Sequence, residues 1–190
     1  NVTASNLQLL NSDDENIMHT DQAPDPSAWS IHGNVHRTLP EAKVVLHLHS
    51  TYATVLSTLK DPRILPIDNN TAGFYERIAY DTNFGGIATS DEEGKRIVDT
   101  FAGKQALMMG NHGITVIGET VAEAFESLYY LEKACKTMVL AYSTGQELNV
   151  LPHKLALETA HSWDEFSGAS VAHFEQLKQG LDCKGSDYRD

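Results

Sequence analysis

The stretch Ala42-Lys-Val-Val-Leu-His-Leu-His-Ser50 decides how this chain is read. Its opening, Ala42 to Leu46, has the apolar, β-branched character of a buried strand, with Val44 to His47 as the strand proper. Side chains two apart on a strand leave from the same face. His47 and His49 therefore project together, as a two-toothed metal clamp requires. Further on, Gly110-Asn-His-Gly113 joins two more apolar runs, Ala106-Leu-Met-Met109 and Ile114-Thr-Val-Ile117. Asn and Gly tolerate positive φ, so a tight turn there can point His112 back towards the sheet end. Gly113 also allows another backbone to approach closely. Three histidines at strand ends, with a position left for water or substrate, suit a catalytic metal site. The alternative is ordinary strand histidines, one of them buried and hydrogen-bonded. Two on one face, followed by Ser-Thr at a helix start, weigh towards metal, and neutral imidazole suits Zn, Fe, Ni or Cu.

Outward from this stretch, apolar patterning and turn residues divide the chain into short strands and helices. Leu7 to Leu10 reads as a strand, Asn11 to Asn16 as a polar turn, and Ile17-Met18 as the start of a return strand. A Pro-rich loop covers Asp21 to Ser27. Ala28 to Thr38 reads as a helix, with Ile31 and Val35 on one face and Pro40 marking its end. Ser50 or Thr51 caps a helix from Tyr52 to Leu59. Ile64 to Ile67 reads as a short strand, Asn70 to Arg77 as a loop or broken helix, and Gly85-Gly86 as a turn. Ser90 with Glu93 forms a capping-box pattern that opens a helix to about Ala102. Glu119 to Tyr142 is the clearest helix, its apolar positions at helical spacing and its acidic residues near the start. A last helix spans Ala169 to Leu181. Strands and helices alternate, so the class is α/β, with helices packed on a mixed sheet in one domain, residues 1–190. Asn1 opens the chain without an initiator Met and runs into a strand-like segment, which reads as a domain lacking its opening segment.

Composition narrows the function classes. The chain has 190 residues, 41% hydrophobic and 21% charged, ordinary values for a globular domain with a sizeable core. No apolar run is long enough to span a bilayer, and no signal-peptide pattern opens the chain. A formal net charge of -12 with scattered basic residues argues against nucleic acid or an anionic membrane as partner. Cys135 falls in a helical pattern and Cys183 in a polar tail, so no disulfide is implied and a reducing cytoplasm is expected.

Ala28-Trp-Ser-Ile-His32, then Leu39 to Ser50, then Gly110-Asn-His-Gly-Ile-Thr-Val-Ile-Gly118 before a long helix, resemble the class II aldolase/adducin head-domain family. The resemblance runs from Thr3 to about Asp187. It implies a three-layer α/β/α sandwich around a central mixed, largely antiparallel sheet. It implies a homotetramer with sites near subunit interfaces, acting on a small-molecule substrate. By the same resemblance, His47, His49 and His112 hold a divalent metal ion, Zn first, with Mn or Fe as alternatives. Tyr75 lies in a segment that the family often places near the site, where a phenol can return a proton to a product carbanion. Ser27, His32 and Asn111 are the expected substrate contacts, and Tyr80 is a second tyrosine to test.

One departure shapes the expected chemistry. Where the family's aldolases carry Ser-Ser-Glu before the Trp, this chain has Pro26-Ser27-Ala28-Trp29. Ala28 can neither carry a proton nor bind metal, and Pro26 removes one phosphate-binding hydroxyl. Asp25 and Asp68 are candidate substitute carboxylates. Retro-aldol cleavage needs a base, whereas loss of carbon dioxide itself generates the carbanion. The expected activity is therefore carbon–carbon cleavage, aldolase- or decarboxylase-like, through a metal-stabilised enolate of a small hydroxy- or keto-acid or sugar-derived substrate. The alternative is a non-catalytic adducin-like scaffold that keeps a structural or vestigial metal site.

Overall fold

The computed structural model describes residues 2–14, 16–21 and 23–190. Asn1, Glu15 in the expected polar turn and Gln22 in the expected Pro-rich loop lie outside the described residues. A four-stranded sheet forms from β1 (Val44–Leu48), β2 (Ile78–Asp81), β3 (Ala106–Met109) and β4 (Gly113–Gly118), in the order β1-β4-β3-β2. β4 runs antiparallel to both β1 and β3, and β2 runs parallel to β3. The expected mixed, largely antiparallel sheet is thus present.

The pleat sorts the apolar residues into two cores. Alternate residues point to opposite faces, so Ala106 and Met108 of β3 enter one core while Leu107 and Met109 enter the other. All four are buried, which makes β3 the centre of the molecule. On one face pack α3 (Thr51–Ser57) and α6 (Val121–Ser143), through Ala53, Leu56, Leu128, Leu131, Cys135 and Met138. On the other face lies α5 (Asp91–Phe101), with a helical run made of α1 (Pro26–Ala28), a π turn (Trp29–Gly33) and α2 (Asn34–Thr38). Its core residues are Ile31, Val35, Ile97, Val98 and Phe101. Helices therefore cover both faces of the sheet, as a three-layer sandwich requires. α4 (Asn69–Gly73), α7 (His153–Asp164) and α8 (Ser167–Cys183) complete the fold: α7 packs on α4 and α8 on α6.

Several local expectations fail for identifiable reasons. Residues 7–10 and 17–18 form no strand. Leu7 and Leu9 are exposed, with no core to bury them and no pairing to a strand, and Ile17–His19 is a turn of 3₁₀ helix. Ile64 to Ile67 is extended but unladdered. The Ile64 N–H donates to the Tyr80 hydroxyl and the Ile67 N–H to Thr71 Oγ1, while Pro66 has no N–H. β2 was not foreseen, because Ile-Ala-Tyr-Asp is too short to show a period. α7 was also unforeseen: its buried residues are Ala156 and Ala160 alone, a stripe too slight to read. The Ser90 cap stands, with its Oγ accepting from the Glu93 N–H at 3.2 Å. Both cysteines are free. No helix among the described residues is long and apolar enough to cross a membrane.

Candidate metal centre

β1 and the β3–β4 turn converge at one end of the sheet. The turn at residues 110–112 is held by three backbone bonds: the Gly110 N–H to Asp81 O at 2.7 Å, Asn111 to Ser57 O at 3.1 Å, and His112 to Met109 O at 3.1 Å. Asn111 takes φ 54°, the left-handed conformation that Asn tolerates better than most residues. A Cβ on Gly113 would lie 2.3 Å from Leu48 O and 3.1 Å from His49 Cδ2. Only the missing side chain lets the end of β1 close on this turn. The three ring centroids consequently stand 4.6 to 5.1 Å apart.

The structure brings His47, His49 and His112 together, with one ring nitrogen from each lying within 4.8 Å of the others. A tetrahedral cation with bonds of about 2.0–2.1 Å holds such nitrogens about 3.3 Å apart, so small rotations close the set. The tautomer of His47 follows from its partners. Nδ1 is 3.1 Å from the carbonyl oxygen of Ile114, which can only accept, and 3.0 Å from Thr115 Oγ1. The Thr115 hydroxyl donates to Met109 Sδ at 3.3 Å, so it accepts here too. Nδ1 therefore carries the proton, and the Nε2 lone pair is free for a cation. Burial, then the neighbouring His112 and His49, push the His47 pKa down to about 4. Burial and then His49 also lower that of His112. Neutral imidazoles at ordinary pH are the form a metal takes. His49 is exposed and the other two are half-buried, so one side of the set faces solvent. These residues fit a divalent ion with an open position.

The loop at the base of α3 is fixed from α6. The Glu132 carboxylate accepts from the N–H groups of Tyr52 and Ala53 and from Ser50 Oγ, at 2.9, 3.0 and 2.7 Å. Ser50 precedes the helix as expected, but its hydroxyl bonds Glu132 instead of the helix backbone. Glu132 is a site residue the sequence did not reveal, because its partners lie about 80 positions away.

The other candidates divide. His32 is half-buried on the π turn and near enough for its charge to be felt at His47. Asn111 shapes the turn itself. Ser27 is spent locally: its hydroxyl and N–H donate to Asp25, which caps α1. Asp68 likewise caps α4 through the Thr71 N–H and hydroxyl. Neither expected substitute carboxylate is free. Tyr75 must be corrected. Its hydroxyl pairs with His153 Nδ1 at 3.0 Å. It precedes Ile78, which pairs with Ala106, at the sheet end away from residues 110–112. Tyr80 is packed against the core, and burial raises its pKa.

A carboxylate from an unforeseen direction approaches instead. The charge of Glu93 on α5 is felt at His112. The loop between them places the Phe84 ring 6.3 Å from the His112 ring, and Gly85 against the Glu93 carboxylate. Both Glu93 oxygens accept from Arg96, at 2.6 and 2.8 Å, and Arg96 also pairs with buried Asp81 at 2.7 Å. Arg96 holds the Glu93 pKa below the usual carboxylate range. The sequence offered only its capping position.

Residues 1–139 match the family model of the Class II Aldolase and Adducin N-terminal domain. A protein named putative aldolase class 2 protein, from Caulobacter vibrioides, is 35% identical over 79% of this chain and 57% of its own length. Decarboxylase NovR of Streptomyces niveus is 25% identical over 84% of this chain and 57% of its own. The chain thus spans a little over half the length of these curated relatives. The crystal structure of an aldolase II superfamily protein from Pseudomonas syringae superposes with TM-score 0.85 at 28% identity, covering 100% of this chain and 76% of that one.

Proposed function

Because the chain belongs to the class II aldolase and adducin N-terminal domain family, we propose that it is a divalent-metal-dependent carbon–carbon lyase with His47, His49 and His112 as ligands. The observation that carries this reading is the convergence of three imidazole nitrogens within 4.8 Å, with one side open to solvent. A divalent ion bound there supplies a Lewis acid for the negative charge that develops as the carbon–carbon bond breaks.

The chain's own residues favour the decarboxylase branch. Ala28 offers no proton acceptor. The carboxylate felt at His112, Glu93, is tied to Arg96 and stays ionised and paired, which makes it a weak base. Release of carbon dioxide needs no base in its first step, whereas retro-aldol cleavage does. A small keto-acid whose carbonyl lies β to the departing carboxylate suits the open side, because the electron pair left by carbon dioxide then passes into that carbonyl. The Phe84 ring stands 6.3 Å from the His112 ring there, and His32, near enough to be felt at His47, is the proposed polar contact. Zinc is the first choice for three nitrogens, with Mn or Fe next. The remainder of a family tetramer and a cytoplasmic setting belong to the same proposal.

The test is incubation of metal-loaded protein with a panel of keto- and hydroxy-acids, with carbon dioxide and aldehyde products measured separately. Turnover lost in the His47→Ala plus His49→Ala variant supports the reading, and full activity in that variant overturns it. Stoichiometric cation binding without turnover on any member would favour the adducin-like scaffold.

A further inference from the structure

A cleft of about 610 Å³ opens between α4, α6, α7 and α8, and none of its lining residues belongs to the histidine set. Its volume falls in the range of small-molecule sites, about 300–1,000 Å³. The walls are aromatic: Tyr130 and Trp163 meet edge to face with centroids 5.3 Å apart, and Phe166 is 70% exposed beside them. Trp163 is firmly seated, since a Cβ on Gly73 would lie 2.6 Å from its indole. The next residue, Asp164, is pinned by a bidentate pair with Arg77. The charged lining residues are the carboxylates Glu126 and Glu158, with no Lys or Arg among them. Glu126 is fixed by His173, and Glu158 has only a loose partner in Lys154 at 3.8 Å.

We propose that this cleft is a second ligand site, for a small organic ammonium ion carried on an apolar body. Aromatic faces attract ammonium groups electrostatically, and more strongly where water is displaced. The Tyr130 ring already receives one, with Lys133 Nζ 5.3 Å from its centroid. A neutral apolar guest would gain nothing from the loosely paired Glu158 carboxylate, and an anion would be repelled by it and by Glu126. The net charge of -12 further raises the local concentration of cations.

Benzyltrimethylammonium chloride is the probe, followed by tryptophan fluorescence and calorimetry, with benzyl alcohol as the neutral comparator. The expected result is saturable binding with Kd of about 1 mM or tighter and affinity for benzyl alcohol at least about tenfold weaker. Glu158→Gln and Phe166→Ala, both at exposed positions that leave the core intact, each weaken the probe by about threefold or more. The His47→Ala plus His49→Ala variant binds it unchanged. Absence of saturation, equal affinity for the two probes, indifference to both cleft variants, or loss in the histidine variant would each overturn the proposal.

Discussion

At the scale of single residues, the candidate centre depends on one absent side chain. Gly113→Ala places a methyl 2.3 Å from Leu48 O, so β1 and the turn must separate. The variant should lose about 1–3 kcal/mol of stability and bind zinc about tenfold or more weakly, as equilibrium dialysis and urea titration would show. Acid should act on the same residues. His47 titrates near 4 in the folded chain, below the ordinary histidine value of about 6.5. Between those values the unfolded chain holds more protons, so stability rises with pH there. It is fully present above about pH 6.5 and is lost as pH falls towards 4. Chelated protein denatured at a series of pH values should show this slope, and His47→Asn should flatten it. The sequence revealed the three histidines because strand parity and a turn signature are local rules. It did not reveal Glu93 or Arg96, whose approach depends on how α5 lies across the sheet. It misplaced Tyr75, since proximity along the chain does not say which sheet end a loop serves.

At the scale of elements, helix contacts determine how well the centre is held. Glu132 binds the first turn of α3 directly after His49. Glu132→Ala leaves two partly buried N–H groups and a hydroxyl without their acceptor. A loss of about 1–3 kcal/mol is expected, with weaker cation binding, and Glu132→Gln should restore part of both. On the opposite face, α5 lies unusually close to the helical run at residues 26–38. A Cβ on Gly94 would come within 2.2 Å of Asn34 Nδ2 and 2.5 Å of Ser30 O, and Asn34 itself donates to Ser30 O at 2.8 Å. Gly94→Ala should therefore force this contact apart and lower the thermal midpoint despite alanine's better helix propensity. Long elements such as α6 were legible from their apolar stripe. β2 and α7 were not, because four residues in one case and two buried alanines in the other carry no readable period.

At the scale of the whole molecule, two half-cores share one sheet, and this architecture followed from the alternation of strands and helices along the chain. Which strands pair did not: the parallel β2–β3 contact is a tertiary result. A cation that binds only the folded chain should raise its stability by RT ln(1 + [L]/Kd), about 2.7 kcal/mol at a hundredfold excess over Kd. Calorimetry with and without zinc should show an upward shift in the wild type, absent when all three histidines are alanine. The hydrogen bond between His47 Nδ1 and Ile114 O joins residues 67 positions apart in the chain. A cation therefore finds its full set of ligands only once β1 has docked on β4. Added zinc should leave the refolding limb of a chevron plot where it was and slow the unfolding limb alone, so that the ion acts as a latch on escape from the native state and gives no help in reaching it.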